Sequence, residues 1–316
     1  MNILVEHCTA SSLDVQDRGV PHICVCICTF KRPETLGRLL NQLKSQETGG
    51  RFTYSVVVAD NDAGRSAEPV VSEFAASSSI AIRYCVEPAQ SIPLARNKAI
   101  ANSCGDYVAF IDDDEFPKSD WLLNALNTCQ RFDVAGVLGP VQRHFDEQPP
   151  KWIVKSKFYC RPTHNTGYTM PWEECRTGNV LLRREVLQQE AGPFRAEFRA
   201  GEDQDLFRRM MEKGHRFIWC DEAPVFEVVP PSRWDRAVML RRALLRGAMA
   251  SLQPNCGFVG IMKSIVAVPA YTLALPFCLI AGQHWFMTVL VKMCDHLGKL
   301  LFLVGIDPVK EPYVSG

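Results

Sequence analysis

Tyr107-Val108-Ala109-Phe110-Ile111-Asp112-Asp113-Asp114 decides the architecture. Five apolar residues, too short a run for a helix, lead straight into three carboxylates, which is the pattern of a buried strand ending in an acidic turn. Working upstream, Ile92 to Asn102 has helical spacing with Pro93 in its first turn, and Ile80 to Val86 is a further strand. Tyr54 to Ala59 is a buried strand that ends in Asp60-Asn61-Asp62. Ile23 to Cys28 is an apolar run broken by Thr29-Phe30-Lys31-Arg32-Pro33, after which Leu36, Leu39, Leu40 and Leu43 recur at helical spacing. Strand alternating with helix implies a mostly parallel, doubly wound α/β sheet, and in such sheets ligands collect beyond the carboxyl ends of the strands. The residues of interest are therefore Thr29-Phe30, Asp60-Asn61-Asp62 and Asp112-Asp113-Asp114.

Three adjacent carboxylates repel one another unless a cation is present. Two of them spaced along a turn suit a divalent ion whose other positions take diphosphate oxygens and water. The competing structural account is an acidic turn before the helix of Trp121, Leu122, Leu123 and Leu126, with Ser119 as its N-cap. Asp60-Asn61-Asp62 is also good turn chemistry, although an Asp there suits a hydrogen bond to a base imide.

Downstream, Val134 to Leu138 is a strand, and Pro140 to Pro171 is loop and short-strand material rich in Pro, His and aromatics, a usual location for acceptor specificity. Val180 to Leu187 is a strand-to-helix transition, Glu202 to Lys213 a helix, and Phe217 to Trp219 and Val225 to Val229 short strands. The helix opens with Gly201-Glu202-Asp203. A carboxylate at a helix start lies near the positive end of the macrodipole and stays ionised, as a general base must, though acidic residues also cap helices for stability alone.

Thirty-five Lys and Arg balance thirty-five Asp and Glu, so no global charge attracts nucleic acid. Thirteen cysteines, scattered and odd in number, are expected as free thiols of a reducing compartment. Cys24, Cys26 and Cys28 share one face of a strand and read as small core residues, since zinc ligands are usually spaced by two or more residues. Met1 to Val20 has no apolar period and is expected to be a loose N-terminal segment.

In order and spacing, Thr29-Phe30-Lys31-Arg32-Pro33, Asp60, Ala95-Arg96-Asn97, Phe110 to Asp114, Thr177-Gly178-Asn179-Val180 and Gly201-Glu202-Asp203 resemble glycosyltransferase family 2, of the GT-A fold. Val58 to Ala63, Ile111 to Glu115 and Leu138 to Val141 are similar to its bacterial exopolysaccharide branch, which includes succinoglycan-type glucosyltransferases. The resemblance runs from His22 to Arg246. It implies an inverting transfer from a nucleotide sugar, with a UDP-sugar favoured, to a glycan or lipid-linked saccharide, assisted by Mg²⁺ or Mn²⁺. It further implies that Thr29, Phe30 and Arg32 border the nucleotide, that Asp60 contacts the base, and that Arg96 lies near ribose or diphosphate with Asn97 beside it. Asp112 and Asp113 would hold ribose and metal-bound water, with Asp112 counted among the metal ligands and Asp114 the direct one. Asp203 matches the catalytic base, Glu202 would bind acceptor hydroxyls, and Gly178-Asn179 would line the acceptor side. Many relatives place a His on the late strand where this chain has Phe226-Glu227, so Glu227 is the candidate third oxygen ligand. A nucleotidyltransferase would open with a glycine-rich loop, which Thr29 to Glu34 lacks, and a degenerate, non-catalytic binding protein should have lost an acidic position.

The C-terminal part differs in kind. Arg233, Arg236, Arg241, Arg242 and Arg246 read as a basic helix, and Ser264 to Val291 is a run of 28 residues without Asp, Glu, Lys or Arg. That exceeds the roughly 20 residues a bilayer-spanning helix needs. Pro269 and Pro276 within it, and Lys292 and Asp295 beyond it, point to a bent or re-entrant membrane element, with Lys292 and Asp295 pairing one turn apart. The expected organisation is therefore residues 1–20 as a tail, 21–232 as a GT-A catalytic domain and 233–316 as a membrane-associated helical region, on the cytosolic face of a bacterial inner membrane.

Overall fold

The computed structural model describes residues 19–189, 192–253 and 257–310. The expected N-terminal tail lies, save its last two residues, outside them. In chain order the elements are β1 (His22–Thr29), α1 (Pro33–Leu43), β2 (Thr53–Asp60), α2 (Glu68–Ser77), β3 (Ile82–Val86), α3 (Ile92–Asn102), β4 (Tyr107–Ile111), β5 (Glu115–Pro117), α4 (Trp121–Phe132), β6 (Gly136–Leu138) and β7 (Val141–His144). There follow α5 (Lys151–Lys155), β8 (Asn179–Arg183), α6 (Arg184–Gln188), α7 (Glu202–Glu212), β9 (Phe217–Trp219), β10 (Val225–Val228), α8 (Arg236–Ala250), α9 (Phe258–Ala281) and α10 (Gln283–Leu303).

Seven strands form one sheet in the order β3-β2-β1-β4-β8-β6-β9. Its first four strands are parallel, and so are β6 and β9, while β8 runs antiparallel to both neighbours. The carboxyl ends of β1, β2, β4, β6 and β9 therefore share one edge. A second sheet, β5-β10-β7, is built from strands that leave this edge, with Glu115 opposite Glu227 and Phe116 opposite Phe226. Core packing explains why these segments fold as they do. Leu36, Leu39, Leu40 and Leu43 of α1 bury their shared face on one side of the sheet with Ile23, Val25 and Ile27. Cys24 and Cys26 face the other side among Ala99, Phe110 and Phe207, with Cys28 packed against that cluster. The three thiols are core residues, as expected, and the eleven described cysteines are all free.

One expected cap is not made. α4 has Asp120 at its N-cap without a side-chain bond, and Ser119 Oγ donates instead to Glu47 Oε1 at 2.7 Å.

The chain divides into two compact units. The first holds the residues up to Gln142, Arg161–Ala196 and Asp203–Glu227; the second gathers Arg143–Cys160, Glu197–Glu202 and Val228–Gly316. Within the second unit, Ile153 of α5 packs with Met239, Ala243, Met287, Val291 and Cys294 of α8 and α10. α8 and α10 approach closely at two glycines: a Cβ on Gly247 would stand 1.9 Å from the Asp295 carbonyl oxygen, and one on Gly298 2.1 Å from that of Leu244.

Two expectations for this region, the place of Arg233 and the partner of Asp295, are corrected. Arg233 is buried in a 3₁₀ turn (Pro231–Trp234) and does not belong to the basic helix, which starts after Asp235 caps it by accepting from the Val238 amide at 3.0 Å. The charge-free run is two helices, because Gly282 at φ 129° breaks the chain between α9 and α10 in a conformation that favours glycine. Asp295 pairs with Arg246 of α8, at 2.7 Å, and not with Lys292, because α8 lies against that face of α10.

Candidate active site

The site is assembled at the shared edge from loops that follow β1, β2 and β4. After Thr29 the backbone of Lys31 enters the left-handed region at φ 54°, a costly conformation for a lysine, and returns at Arg32 before Pro33 starts α1. This reversal aims Arg32 across the strand ends. Its Nη1 lies 3.1 Å from Asp113 Oδ1 and 3.1 Å from Asp114 Oδ2, while Thr29 Oγ1 donates to Asp113 Oδ2 at 2.7 Å. Asp112 faces a second arginine: Arg96, buried in the first turns of α3 and set over the Phe194 ring, is 3.6 Å from Asp112 Oδ1. Phe30, the remaining expected neighbour of a nucleotide, is half-buried beside the Lys31 ammonium.

A third cation, Arg161, was not singled out from sequence. It sits 3.1 Å from Glu227 Oε2, and Glu227 is opposite Glu115 in the β5–β10 pair. Glu115 is buried, its Oε2 accepting the Asp112 amide at 3.1 Å while its Oε1 has no partner. Gly178 lies directly over this carboxylate, and a Cβ there would be 2.7 Å from Glu115 Oε1 and 3.1 Å from Asp112 Oδ2.

Electrostatically the cluster carries more negative charge than its arginines offset. Asp112 is raised above the usual carboxylate range by lost hydration, against the pull of Arg96 and Arg161. Asp113 is pushed up to about 6 by burial and by Asp114, although Arg32 and Thr29 oppose the rise. Glu115 is raised well above its ordinary value by burial and by Asp112. Desolvation pulls Arg161 down, but Glu227, Glu115 and Asp112 outweigh it and hold the guanidinium above its ordinary value. Crowded, oxygen-only, under-compensated carboxylates with one orphaned oxygen fit a hard divalent cation. Among the described residues no three His, Cys, Asp or Glu side chains form a ready cage. Glu227, expected as third ligand, is in an ion pair with Arg161 because the β10 register sets it there.

Several expected residues act on the scaffold. Asp60 is fully buried, accepting from the Asp62 and Ala67 amides at 3.0 and 2.8 Å and from Tyr84 Oη at 2.8 Å, bonds that fix the Asp60-Asn61-Asp62 turn. Asn97, expected beside Arg96, closes a two-bond clasp with the Phe194 backbone, at 2.7 and 3.0 Å. Asn179, expected on the acceptor side, is buried with its Nδ2 donating to Pro140 and Ala223 carbonyls and its Oδ1 accepting from Trp121 Nε1 at 2.8 Å. Both Nδ2 protons are thereby used, and Oδ1 keeps one lone pair in a buried position.

Asp203 lies in the first turn of α7, largely buried, with Oδ1 accepting the Gln204 amide at 2.7 Å. Glu202 beside it is buried too. The preceding Gly201 turns the chain at φ 81°. Two residues on, Asp205 is fully buried and paired with Arg195, Arg208 and Arg209, which anchors the helix start. Asp203 also helps hold the Cys175 thiol up. Cys175 belongs to the same loop as Gly178, so one short segment runs from the Asp203 neighbourhood to the acidic cluster.

Residues 24–190 match the sequence model of Glycosyl transferase family 2. The chain is 36% identical over 231 residues to the succinoglycan biosynthesis protein ExoM of Rhizobium meliloti, spanning 72% of this chain and 73% of that one. It is 25% identical over 220 residues to the glycosyltransferase AglE of Haloferax volcanii, spanning 66% and 69%. In structure it is similar to the mannosyltransferase PcManGT of Pyrobaculum calidifontis in complex with GDP-Man and Mn²⁺, with a TM-score of 0.60 at 17% identity over 89% of this chain and 87% of that one. It is also similar to residues 1–349 of S. aureus TarS in complex with UDP-GlcNAc, with a TM-score of 0.51 at 14% identity over 90% and 92%.

Proposed function

Since this chain belongs to glycosyltransferase family 2 and has its GT-A fold, we propose that it is an inverting, metal-assisted transferase. It moves a hexosyl group from a UDP-sugar to a glycan or lipid-linked saccharide during surface polysaccharide synthesis. The observation that carries the proposal is the acidic cluster at the β4 end, in which Asp113 and Asp114 share one arginine and Glu115 keeps an orphaned oxygen.

In this reading Asp114 and Asp112 would hold Mg²⁺ or Mn²⁺, which when bound offsets the charge that develops on the departing nucleoside diphosphate. Thr29, Phe30 and Arg32 border the nucleotide, and Asp60 orders the turn that the base meets. Arg96, held 3.6 Å from Asp112, supplies a fixed positive charge near ribose or diphosphate. Asp113 orients Arg32 through the 3.1 Å pair and Thr29 through the 2.7 Å hydrogen bond. Arg161 pairs with Glu227, which lies opposite Glu115 in the second sheet. Asp203 takes the proton of an acceptor hydroxyl as that oxygen attacks the anomeric carbon from the face opposite the leaving group, while Glu202 binds neighbouring acceptor hydroxyls. The displacement needs no covalent nucleophile, and a single attack inverts the anomeric centre.

The membrane part of the proposal rests on α9. It has 24 residues, mean hydropathy 2.0 and only 6% of its apolar window buried, and Leu273, Phe277 and Ile280 are 74%, 74% and 87% exposed. At about 1.5 Å per residue its length of about 36 Å matches a hydrocarbon core of about 30 Å. Exposed Arg236 and Arg241 on α8 suit anionic headgroups on the cytosolic face of a bacterial inner membrane.

A thermal-shift panel of nucleotide sugars with Mn²⁺ tests the donor assignment, because a bound donor stabilises the folded state by mass action. UDP-sugars should raise Tm more than GDP-sugars. No shift with any nucleotide sugar, in Mn²⁺ or Mg²⁺, would refute the proposal.

A further inference from the structure

Away from the acidic cluster, the first unit has an open cleft of about 550 Å³ lined by Thr163, His164, Asn165, Thr166, Tyr168 and Asp221. We propose that this cleft is a saccharide subsite, holding a sugar ring of an oligosaccharide acceptor that does not itself react. The inference rests on the glycosyltransferase reading and adds to it the class of acceptor, an oligosaccharide.

The cleft floor is an aromatic platform. The Tyr168 and His164 rings are stacked, with centroids 4.0 Å apart and planes 11° from parallel, and Trp219 meets His164 edge-on at 5.5 Å. His164 is fixed from its edge by Glu174 at 2.7 Å. Tyr168, backed on one face by His164, is 42% exposed and lines the cleft. An exposed aromatic face carries negative quadrupole potential, which attracts the C–H-rich face of a pyranose. Beside the platform, Asp221 Oδ1 accepts from Trp219 Nε1 at 3.2 Å, which orients the carboxylate while leaving lone pairs for a pair of sugar hydroxyls. Asn165 and Thr163 add further polar groups at the same rim.

This site is preorganised. Gly167 takes φ 94°, and the loop is stitched to β9 by Gly167 N to Trp219 O and Trp219 N to Tyr168 O, both at 2.9 Å. Thr166 Oγ1 accepts the Asp221 amide at 2.9 Å and bonds Glu222 as well. The chemistry selects a neutral polyhydroxylated ligand: neither Arg nor Lys is among the described lining residues, so a phosphate or diphosphate has no cationic partner there.

Position gives the ligand its length. Asp221 follows β9 at the edge that carries Asp112 after β4, and three inter-strand steps separate those strands in the order β4-β8-β6-β9. At about 4.8 Å each that is about 14 Å, a span that an oligosaccharide bridges and a monosaccharide does not. A volume of about 550 Å³ lies within the range of about 300–1,000 Å³ found for ligand clefts.

The test uses the full chain with UDP and Mn²⁺ and a panel of gluco- and galacto-oligosaccharides of one to four units, with affinities from saturation-transfer NMR. At least one tri- or tetrasaccharide should bind tenfold or more tighter than its monosaccharide. Tyr168→Ala and Asp221→Asn should each remove that preference, Tyr168→Phe should keep it, and all three should bind UDP like the wild type. The subsite is overturned if the preference survives in Tyr168→Ala and Asp221→Asn, or if the wild type binds no member of the panel while still binding UDP. A wild type that fails to bind UDP sinks the donor assignment itself, whatever the oligosaccharide result.

Discussion

The β4 end and α9 break the usual partition of residues in opposite ways. At the first, carboxylates crowd together with too few cations, and Asp113 and Glu115 are withdrawn from water, which raises both above their ordinary range. At the second, a helix of mean hydropathy 2.0 leaves its apolar face in the open. Neither arrangement is favourable for an isolated chain in water, and in the function proposed above each gains one kind of partner: a cation with a diphosphate in one case, a lipid surface in the other. The comparison teaches that local violations of folding rules identify function better than local agreement with them. Asn179 and Asn97, by contrast, are held by ordinary hydrogen bonds to backbone and to Trp121.

The largest effect that would sharpen this contrast is chemical. Asp203→Asn keeps shape and hydrogen bonding but removes basicity, so glycosyl transfer should fall by about 10²–10⁴-fold while UDP affinity, set at the other carboxylates, stays near wild type. Single-turnover kinetics would check it, with Gln204→Ala as a neighbouring control. Transfer within a few-fold of wild type would remove Asp203 from the mechanism.

Next in size is the apolar side of the comparison. Leu273→Asp puts a charge in the middle of α9 at a position 74% exposed, which costs about 2.5–3.5 kcal/mol in a bilayer and little in water. The variant should move from the pelleted membrane fraction toward the soluble one and lose liposome binding. If the wild type floats free of liposomes, α9 has another partner.

A scaffold residue should behave differently from both. Asn179→Ala strips partners from Trp121 Nε1 and from the Pro140 and Ala223 carbonyls, and should cost about 2–3 kcal/mol of stability by chemical denaturation. Donor specificity should be unchanged, whereas a shift in donor preference without loss of stability would return Asn179 to the ligand.

The smallest effect concerns pH. Asp113 has a folded pKa of about 6 against about 3.9 unfolded, so the folded state binds more protons between those values. Stability in a chelator should therefore rise as pH falls from 7 to 5, by about 1 kcal/mol from Asp113 alone. Asp113→Asn should flatten that slope, and a wild type whose stability is lowest at pH 5 would contradict the buried-charge account.

Much of the fold was legible because its signals are local. The runs at Tyr107–Ile111 and Ile92–Asn102 have the bounds that their apolar patterns and Pro93 imply. What sequence could not provide was pairing across distance. The antiparallel insertion of β8 between β4 and β6, the meeting of Glu227 with Arg161 and the Arg246–Asp295 bridge join residues far apart in the chain, and no periodicity encodes them. Arg161 sits in an irregular segment among prolines and aromatics, where only its charge marked it. Asp60 was recognisable as a strand-end acid, but the direction of its carboxylate depends on Tyr84 and the Ala67 amide, which close on it only after folding.

The central claim is that the β4 carboxylates await a cation and a nucleotide together. Calorimetric titration of UDP into the full-length protein at pH 7.5, with Mn²⁺ and with chelator, addresses it most directly, run in parallel on Asp114→Ala. The account predicts at least tenfold tighter UDP binding with Mn²⁺ in the wild type and loss of that difference in Asp114→Ala. Equal UDP affinity with and without metal in the wild type would contradict it.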